Sequence, residues 1–191
     1  MSRSARVLAR GEVRRMLTCA RRSSAPQRNV VIIQLSFRSG LRACEIAGLT
    51  WDMVTTPNGR LADIIDVAGT IAKNGRARRI PMHAELRKAL SQLRSSTGSN
   101  RGPVVQSRRG GHMMPRSIVN WFASIYGELG FTGCSSHSGR RTFITQAARL
   151  ISKAGGSLRD VQELAGHRSL TSTEIYIAGC RESQRRLLRL L

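Results

Sequence analysis

The stretch LAGHRSLTSTEIYI, residues 164–177, carries the side chains on which the interpretation of the whole chain depends. Gly166 and His167 are typical of a helix end, because glycine tolerates the left-handed conformation that stops a helix and histidine complements the negative end of the helix dipole. Tyr176 follows 9 residues after His167. Alone, this pattern also fits an ordinary helix end followed by a half-buried tyrosine, so its meaning depends on the motifs that precede it.

Two arginine motifs lie upstream of this stretch. The first is SGLRACEI, residues 39–46, in which Glu45 follows Arg42; the second is HSGRRTF, residues 137–143, which contains His137 and Arg140. Arginine presents a planar fork of donors that suits phosphate oxygens. Taken singly, Arg42 is better explained as a surface arginine of a very basic chain, and His137 with Arg140 fits a helix start with solvated side chains.

A β-hairpin is predicted between the two arginine motifs. Residues 61–67 and 77–82 have the composition of strands, and Asn74-Gly75 lies between them. Asn-Gly is a strong hairpin signal, because both residues tolerate the positive φ of a tight type I′ turn. We therefore expect a hairpin over residues 61–82 with Lys73 near its tip, although lysine beside Asn-Gly is also a common turn composition.

Most of the remaining chain is predicted to be helical. Residues 29–37 form an apolar run that periodicity alone assigns to neither helix nor strand, and Val104-Val105 is predicted as a short strand. The fold class is therefore α+β, mostly helical, with a small antiparallel sheet. The predicted helices cover residues 12–20, 41–49, 85–93, 115–129, 138–151, 157–166, 171–178 and 181–191.

The charge balance indicates a polyanionic partner. The chain has 191 residues, which suits one domain, and 32 Lys+Arg against 11 Asp+Glu give a formal net charge of +21. Nucleic acid is the expected partner of so basic a protein. Aromatic residues make up only 4% of the chain, which disfavours a stacking platform for single strands. A ribosomal-type basic protein would explain the charge but not the order of the motifs.

The cysteines and histidines do not form a recognisable metal site. The four cysteines include no CxxC pair, and Cys134 with His137 is only half of a zinc motif. We predict four reduced thiols in a cytoplasmic protein and no bound metal. The sequence contains neither an apolar run of the ~20 residues that cross a bilayer nor a secretory signal, so no membrane association is expected.

Taken together and in this order, the motifs resemble the catalytic domain of the tyrosine recombinases, the phage integrase family. The successive residues are Arg42, Glu45, Lys73, His137, Arg140, His167 and Tyr176. The spacings are 31 residues from Arg42 to Lys73, 64 on to His137, and 27 from Arg140 to His167. The resemblance covers about residues 28–180. Gly139 and Arg141 depart from the family pattern, in which leucine and histidine are more common at these positions.

The resemblance implies a role for each residue. Tyr176 would attack the phosphorus and form a 3′-phosphotyrosyl link, while Arg42, Arg140 and His167 bind the phosphate oxygens. His137 would help accept the phenol proton, Lys73 would protonate the leaving 5′ oxygen, and Glu45 would support Arg42. No metal, ATP or other cofactor is implied. The arginines near these motifs that are expected to contact DNA are Arg76, Arg78, Arg79, Arg141 and Arg168.

The resemblance also sets expectations for organisation and partners. Residues 1–27 form a basic N-terminal segment, 28–180 the catalytic domain, and 181–191 a helical tail that docks either on its own core or on a neighbouring protomer. Double-stranded DNA is the expected partner, bound by a tetramer when two sites are brought together. A family member typically carries an N-terminal core-binding domain, for which about 28 residues are too few, so either a fragment or a minimal recombinase is expected. A type IB topoisomerase-like enzyme and a non-catalytic DNA-binding relative are the alternatives.

Overall fold

A computed structural model describes residues 4–73, 75–176 and Leu188. Within this part of the chain, helices dominate and two short strands form one antiparallel sheet, which confirms the predicted fold class. None of the described helices is long and apolar enough to cross a bilayer. The elements are α1 (Arg10–Arg21), α2 (Pro26–Arg38), α3 (Ala43–Gly48), β1 (Ile64–Val67), β2 (Arg78–Pro81), α4 (Ala84–Thr97), α5 (Pro115–Glu128), α6 (Ser138–Leu150), α7 (Leu158–Ala165) and α8 (Thr171–Glu174).

The ambiguous apolar run is the central helix of the molecule. Pro26 starts α2, where its missing N–H costs nothing, and every residue from Asn29 to Phe37 is buried. Helices α1, α4 and α6 pack around α2. A helix covered on all sides is apolar all round, which removes the 3.6-residue periodicity that would have identified it.

The predicted hairpin is present, but its turn differs from the prediction. Ile64 pairs with Pro81 and Val67 with Arg78, so residues 68–77 form the connection instead of a two-residue Asn-Gly turn. This connection folds onto itself: Ala72 N donates to Ala68 O, and Gly75 N donates to Ala72 O at 2.9 Å. Lys73 lies exposed in it. Hence the connection between the two strands is longer than a two-residue turn.

Three other predictions have different outcomes. Val104 and Val105 form no strand. The Val104 N–H donates to Leu49 O, and Val105 O accepts from the Met113 N–H. Isolated bridges at Pro103 and Gln106 flank the pair. The predicted helix over 171–178 is observed as Thr171–Glu174, and residues 177–178 lie outside the described residues. The predicted tail helix over 181–191 also lies outside them, apart from Leu188.

The basic N-terminal segment shares its core with the rest of the molecule. Leu8, Met16 and Ala20 are buried in the main hydrophobic cluster together with residues of α2 and α5. The backbone N–H of Leu8 donates to Thr142 Oγ1 in α6 at 3.0 Å. Residues 8–20 therefore contribute to the same folded unit as the motif-bearing residues.

The helices α2 and α6 meet at Gly139. A Cβ atom at this position would lie 2.1 Å from Ser36 Oγ and 2.9 Å from the Phe37 ring, and both neighbours are buried. The departure from leucine at this position therefore has a steric cause, since Ser36 and Phe37 occupy the space that a side chain would need. Gly139 is what lets α6 approach α2 closely enough to place the neighbouring Arg140.

We expect Gly139→Ala to destabilise the protein by about 1–3 kcal/mol, the usual cost of overpacking a core. Gly127→Ala is the matched control, because Gly127 is an exposed helical glycine with nothing within 4 Å of its Cβ position. It should leave stability unchanged or raise it by up to about 1 kcal/mol. Urea unfolding of the two variants measures the difference; equal midpoints would contradict the close contact between α2 and α6.

Candidate functional site

The site is organised around the buried carboxylate of Glu45. Its side chain is 0% exposed and accepts two hydrogen bonds from Arg78, at 2.9 and 2.8 Å. It also accepts from Arg42 Nη1 at 3.1 Å and from the Arg42 backbone N–H at 2.8 Å, which caps α3. Burial alone would raise the pKa of Glu45, but the hydrogen bonds and charges of Arg78 and Arg42 hold it below its ordinary value. Glu45 is therefore an ionised anchor that orients Arg42.

Arg78 has a different environment from the one expected of a DNA contact. Its side chain is only 7% exposed, and besides Glu45 it donates through Nε to the carbonyl oxygen of Leu164 at 3.2 Å. It also lies against Gly166. Sequence reasoning gave Glu45 one arginine partner, whereas the structure gives it two. The hairpin is thereby joined to α3 and to the end of α7.

Among the described residues, the Arg140 guanidinium donates to backbone carbonyls and to no carboxylate. The residue is 4% exposed, and its guanidinium donates to Gly40 O at 2.7 Å and to Ala165 O at 2.5 Å. Burial, and next the charge of Arg42, lowers the pKa of Arg140 to about 10. The group remains a cation at pH 7. Its hydrogen-bond acceptors among the described residues are uncharged carbonyls, and the charge of Glu45 acts on it without a direct contact.

His167 is fixed at both its backbone and its ring. Gly166 ends α7 at φ 62°, and the His167 N–H then donates to Gln162 O at 3.1 Å. The ring Nδ1 lies 3.0 Å from Thr173 Oγ1. Burial, and next the charges of Arg140, Arg42 and Arg78, lowers the pKa of His167 to about 4. The imidazole is therefore neutral at pH 7.

Tyr176 lies against His167 with the two rings stacked. Their centroids are 5.8 Å apart and the interplanar angle is 24°. The Arg141 guanidinium carbon lies 5.5 Å from the centre of the tyrosine ring, within the range of a cation–π contact. The half-buried Tyr176 also packs against a small cluster formed by Ile144, Val161 and Ala165. The tyrosine is thus directed to the same place as the histidine and the arginines.

His137 and Lys73 complete one side of the site. Both side chains are exposed, His137 at the start of α6 and Lys73 in the hairpin connection. Partial burial, and next the charges of Lys73, Arg140 and Arg42, lowers the pKa of His137. His137 is therefore within the field of these three cations and is biased towards the neutral form, which can accept a proton.

Some of the predicted site residues meet at one locus, and the others are exposed arginines beside it. The six predicted catalytic residues and Glu45 gather around one locus, and Arg141 contacts the tyrosine ring. Arg76 and Arg79 are exposed beside it, lining a groove shared with Arg159 and His167. Arg168 is exposed next to His167. Sequence reasoning missed Arg159, which lines this groove, as well as Gln162 and Thr173, which hold His167.

The site suits an anion bearing several oxygens. Arg42, Arg78, Arg140 and Lys73 supply four positive charges, and Glu45 is the carboxylate that contacts two of them. Within the described ranges, no group of three or more His, Cys, Asp or Glu side chains lies together as metal ligands would. The described residues therefore bring fixed cations and the Tyr176 hydroxyl to one locus.

Comparisons of sequence support the resemblance. The sequence model of the phage integrase family matches residues 6–182, which includes most of the basic N-terminal segment. Tyrosine recombinase XerC of Xylella fastidiosa (strain M23) is 33% identical over 154 residues, covering 78% of this chain and 48% of the relative. Its counterpart in Brucella suis biovar 1 (strain 1330) is 30% identical over 156 residues, covering 78% and 45%. The chain spans about half the length of these relatives.

Solved structures share the fold. A Tn1549 transposon integrase in complex with a circular intermediate DNA superposes with a TM-score of 0.79 at 20% identity, covering 99% of this chain and 67% of that one. XerA recombinase gives a TM-score of 0.72 at 23% identity, covering 100% and 65%. The family match extends over most of the chain, and the residues that suggested it meet at one site. The chain therefore belongs to the phage integrase family, the tyrosine recombinases.

Proposed function

We propose that this chain is the catalytic part of a site-specific DNA recombinase, which cleaves and rejoins double-stranded DNA through Tyr176. The observation that carries the proposal is the position of the Tyr176 ring, stacked on His167 at 5.8 Å within the field of Arg42 and Arg140. A phenol beside buried cations is placed to attack a phosphodiester whose negative charge those cations stabilise.

The proposed reaction exchanges one phosphoester for another. Tyr176 Oη forms a bond to phosphorus, and the bond from phosphorus to the 5′ oxygen breaks, leaving a 3′-phosphotyrosyl link and a free 5′-hydroxyl. Arg42 and Arg140 bind the nonbridging oxygens, whose negative charge grows as the crowded transition state forms. A DNA hydroxyl can then attack the tyrosyl ester and reverse the exchange, so the reaction needs neither ATP nor an oxidant.

Two exposed groups handle the protons in this proposal. The phenol proton passes to His137, whose lowered pKa favours the neutral, accepting form. Lys73 gives a proton to the departing 5′ oxygen. Its place in the hairpin connection supports this role, because the charge of Lys73 acts on His137 and so lies close to the site. Neither step uses a metal ion.

The exposed arginines would bind the DNA backbone. Arg76, Arg79 and Arg168 carry no acidic partner among the described residues and lie beside the site. Double-stranded DNA is the proposed partner, and we propose that four copies act together when two DNA sites are exchanged. Of the related structures, XerH is described as bound to its difH substrate in a pre-cleavage complex.

The decisive test is covalent trapping on a nicked duplex. A nick beside the scissile phosphate lets the released strand diffuse away, so a phosphotyrosyl complex accumulates as a slower band after denaturation. The substrates are nicked duplexes that carry candidate recombination sites. Supercoiled plasmid is assayed in parallel for relaxation. Covalent complexes without strand exchange, accompanied by relaxation, would support a topoisomerase-like activity instead.

Tyr176→Phe should abolish the covalent complex and leave DNA affinity nearly unchanged, because only the nucleophilic oxygen is lost. The matched control is Tyr126→Phe. Tyr126 is 2% exposed, and burial, and next Cys134, raises the pKa of its phenol, so it is neither accessible nor readily ionised. Gel analysis and filter binding measure the two effects. If Tyr126→Phe abolished the complex and Tyr176→Phe did not, the nucleophile would be Tyr126 and the assignment of Tyr176 would be wrong.

Arg140→Lys should slow cleavage by about 10²–10³-fold, the scale of losing one preorganised charge donor. A lysine ammonium is a point charge without the fork that holds Gly40 O and Ala165 O at once. Arg149→Lys, at an exposed position near the end of the same helix, should cleave at the normal rate. Single-turnover cleavage of the nicked duplex measures both, and equal rates would exclude Arg140 from the charge-stabilising set.

Replacing the neighbouring residues Arg78 and Arg79 by alanine should have different effects, on the stability of the protein for Arg78 and on DNA affinity for Arg79. Arg79→Ala should weaken DNA binding without loss of stability and reduce the slope of log affinity against log salt by about 1. Arg78→Ala leaves the buried Glu45 without its bidentate partner and should destabilise the protein by about 3–5 kcal/mol. Thermal unfolding and salt titrations distinguish them; equal stability would show that the Arg78–Glu45 pair is dispensable.

A further inference from the structure

We propose that Thr173 is a positioning residue: its hydroxyl donates to Nδ1 of His167 and thereby fixes the tautomer that presents Nε2–H to the scissile phosphate. The inference rests on the proposed function, because it concerns the same phosphate-binding histidine. It concerns neither a reacting group nor a group that contacts DNA.

The contact between the two residues is buried on the threonine side. Thr173 is 0% exposed and its Oγ1 lies 3.0 Å from His167 Nδ1. The backbone of Thr173 is itself fixed, since its N–H donates to Leu170 O at 2.7 Å. The hydroxyl therefore meets the ring from a rigid position rather than from a freely rotating surface side chain.

The backbone of His167 is also fixed, which leaves the ring as its adjustable part. Its N–H donates to Gln162 O at 3.1 Å, and its carbonyl oxygen accepts from Gln162 Nε2 at 3.2 Å. Gln162 is 8% exposed, so these two bonds are shielded from water. With the main chain held on both sides, the ring orientation depends on its own contacts, namely the Thr173 hydroxyl and the stacked Tyr176 ring.

The direction of the hydrogen bond follows from the neutral state of the ring together with the acceptor available to the Thr173 hydroxyl. Burial, and next the charges of Arg140, Arg42 and Arg78, keep the imidazole neutral. A neutral imidazole carries one proton, either on Nδ1 or on Nε2. Among residues 4–73 and 75–176, the Thr173 hydroxyl has His167 Nδ1 as its side-chain hydrogen-bond partner. When the hydroxyl donates to Nδ1, the ring proton is on Nε2, where it can bind a phosphate oxygen.

The same contact couples the histidine to the nucleophile. Thr173 lies three positions before Tyr176, and the Tyr176 N–H donates to Thr173 O at 3.0 Å. The stretch from 173 to 176 therefore brings two partners to His167 at once, the hydroxyl at Nδ1 and the tyrosine ring against its face. His167 has the correct tautomer when the segment that carries the nucleophile is in place.

The test compares two substitutions at Thr173 with a control on the same helix. Thr173→Val keeps the branched shape and removes the hydroxyl, whereas Thr173→Ser keeps the hydroxyl. Thr171→Val makes the same chemical change at an exposed position two residues away. For Thr173→Val we expect covalent trapping to slow by about 10–100-fold, the scale found when the outer hydrogen-bond partner of a metal-ligating histidine is removed, with unchanged DNA affinity. Thr173→Ser and Thr171→Val should remain within about threefold of the parent rate, a span smaller than the tenfold lower bound expected for Thr173→Val.

A second measurement reads the tautomer without DNA. Nitrogen-15 NMR of the free protein should show His167 with its proton on Nε2, and Thr173→Val should shift the ring towards a mixture of tautomers. Unchanged tautomer populations in Thr173→Val, or cleavage by Thr173→Val at the parent rate, would overturn the proposal. If the parent protein itself forms no covalent complex, the proposed function fails, whereas the NMR comparison still decides the role of Thr173.

Discussion

The buried ion pair between Glu45 and Arg78 is the interaction on which the rest of the site depends. It joins α3 to the hairpin, and through Leu164 O it joins the hairpin to the end of α7. Removing one partner of such a pair leaves an uncompensated charge inside the protein, which costs far more than the loss of a surface bridge. Three elements distant in sequence therefore hold a common position, and Arg42 takes its orientation from the same carboxylate.

The second constraint is the way in which Arg140 is held. Carbonyl dipoles from Gly40 and Ala165 accept from two of its donors without cancelling its charge, as a carboxylate would. The guanidinium can therefore be buried and precisely aimed while it still attracts an anion. Gly139, which allows α6 to lie close to Ser36 and Phe37, makes this placement sterically possible. The chemistry of the site thus depends on helix packing as much as on charged groups.

The sequence predicted which residues gather at one locus better than it predicted the path of the chain. The set from Arg42 to Tyr176 could be named because the order of the motifs resembles that of the tyrosine recombinases, and the structure brings these residues together. The helical state of residues 29–37 could not, because a helix buried on every face loses its periodicity. The ten-residue connection was not predicted, because the Asn-Gly signal favours a two-residue turn, whereas β1 ends at Val67 and β2 begins at Arg78. Arg78 was predicted to contact DNA because it is an arginine near the motifs. The sequence does not show that its side chain is buried and bound to Glu45, since that depends on packing.

The small cluster beneath Tyr176 has a consequence for how the molecule opens. Ile144, Val161 and Ala165 are its buried members, whereas the main core extends from Leu8 through α2 to Phe131. Segments with little buried apolar surface open at a lower free energy than the global unfolding transition. The stretch that carries Tyr176 packs on a small cluster separate from the main core. Its amides should therefore exchange with solvent deuterium well before those of α2. Tyr176 can then move away from His167 while the elements that carry Arg42, Arg78 and Arg140 stay folded.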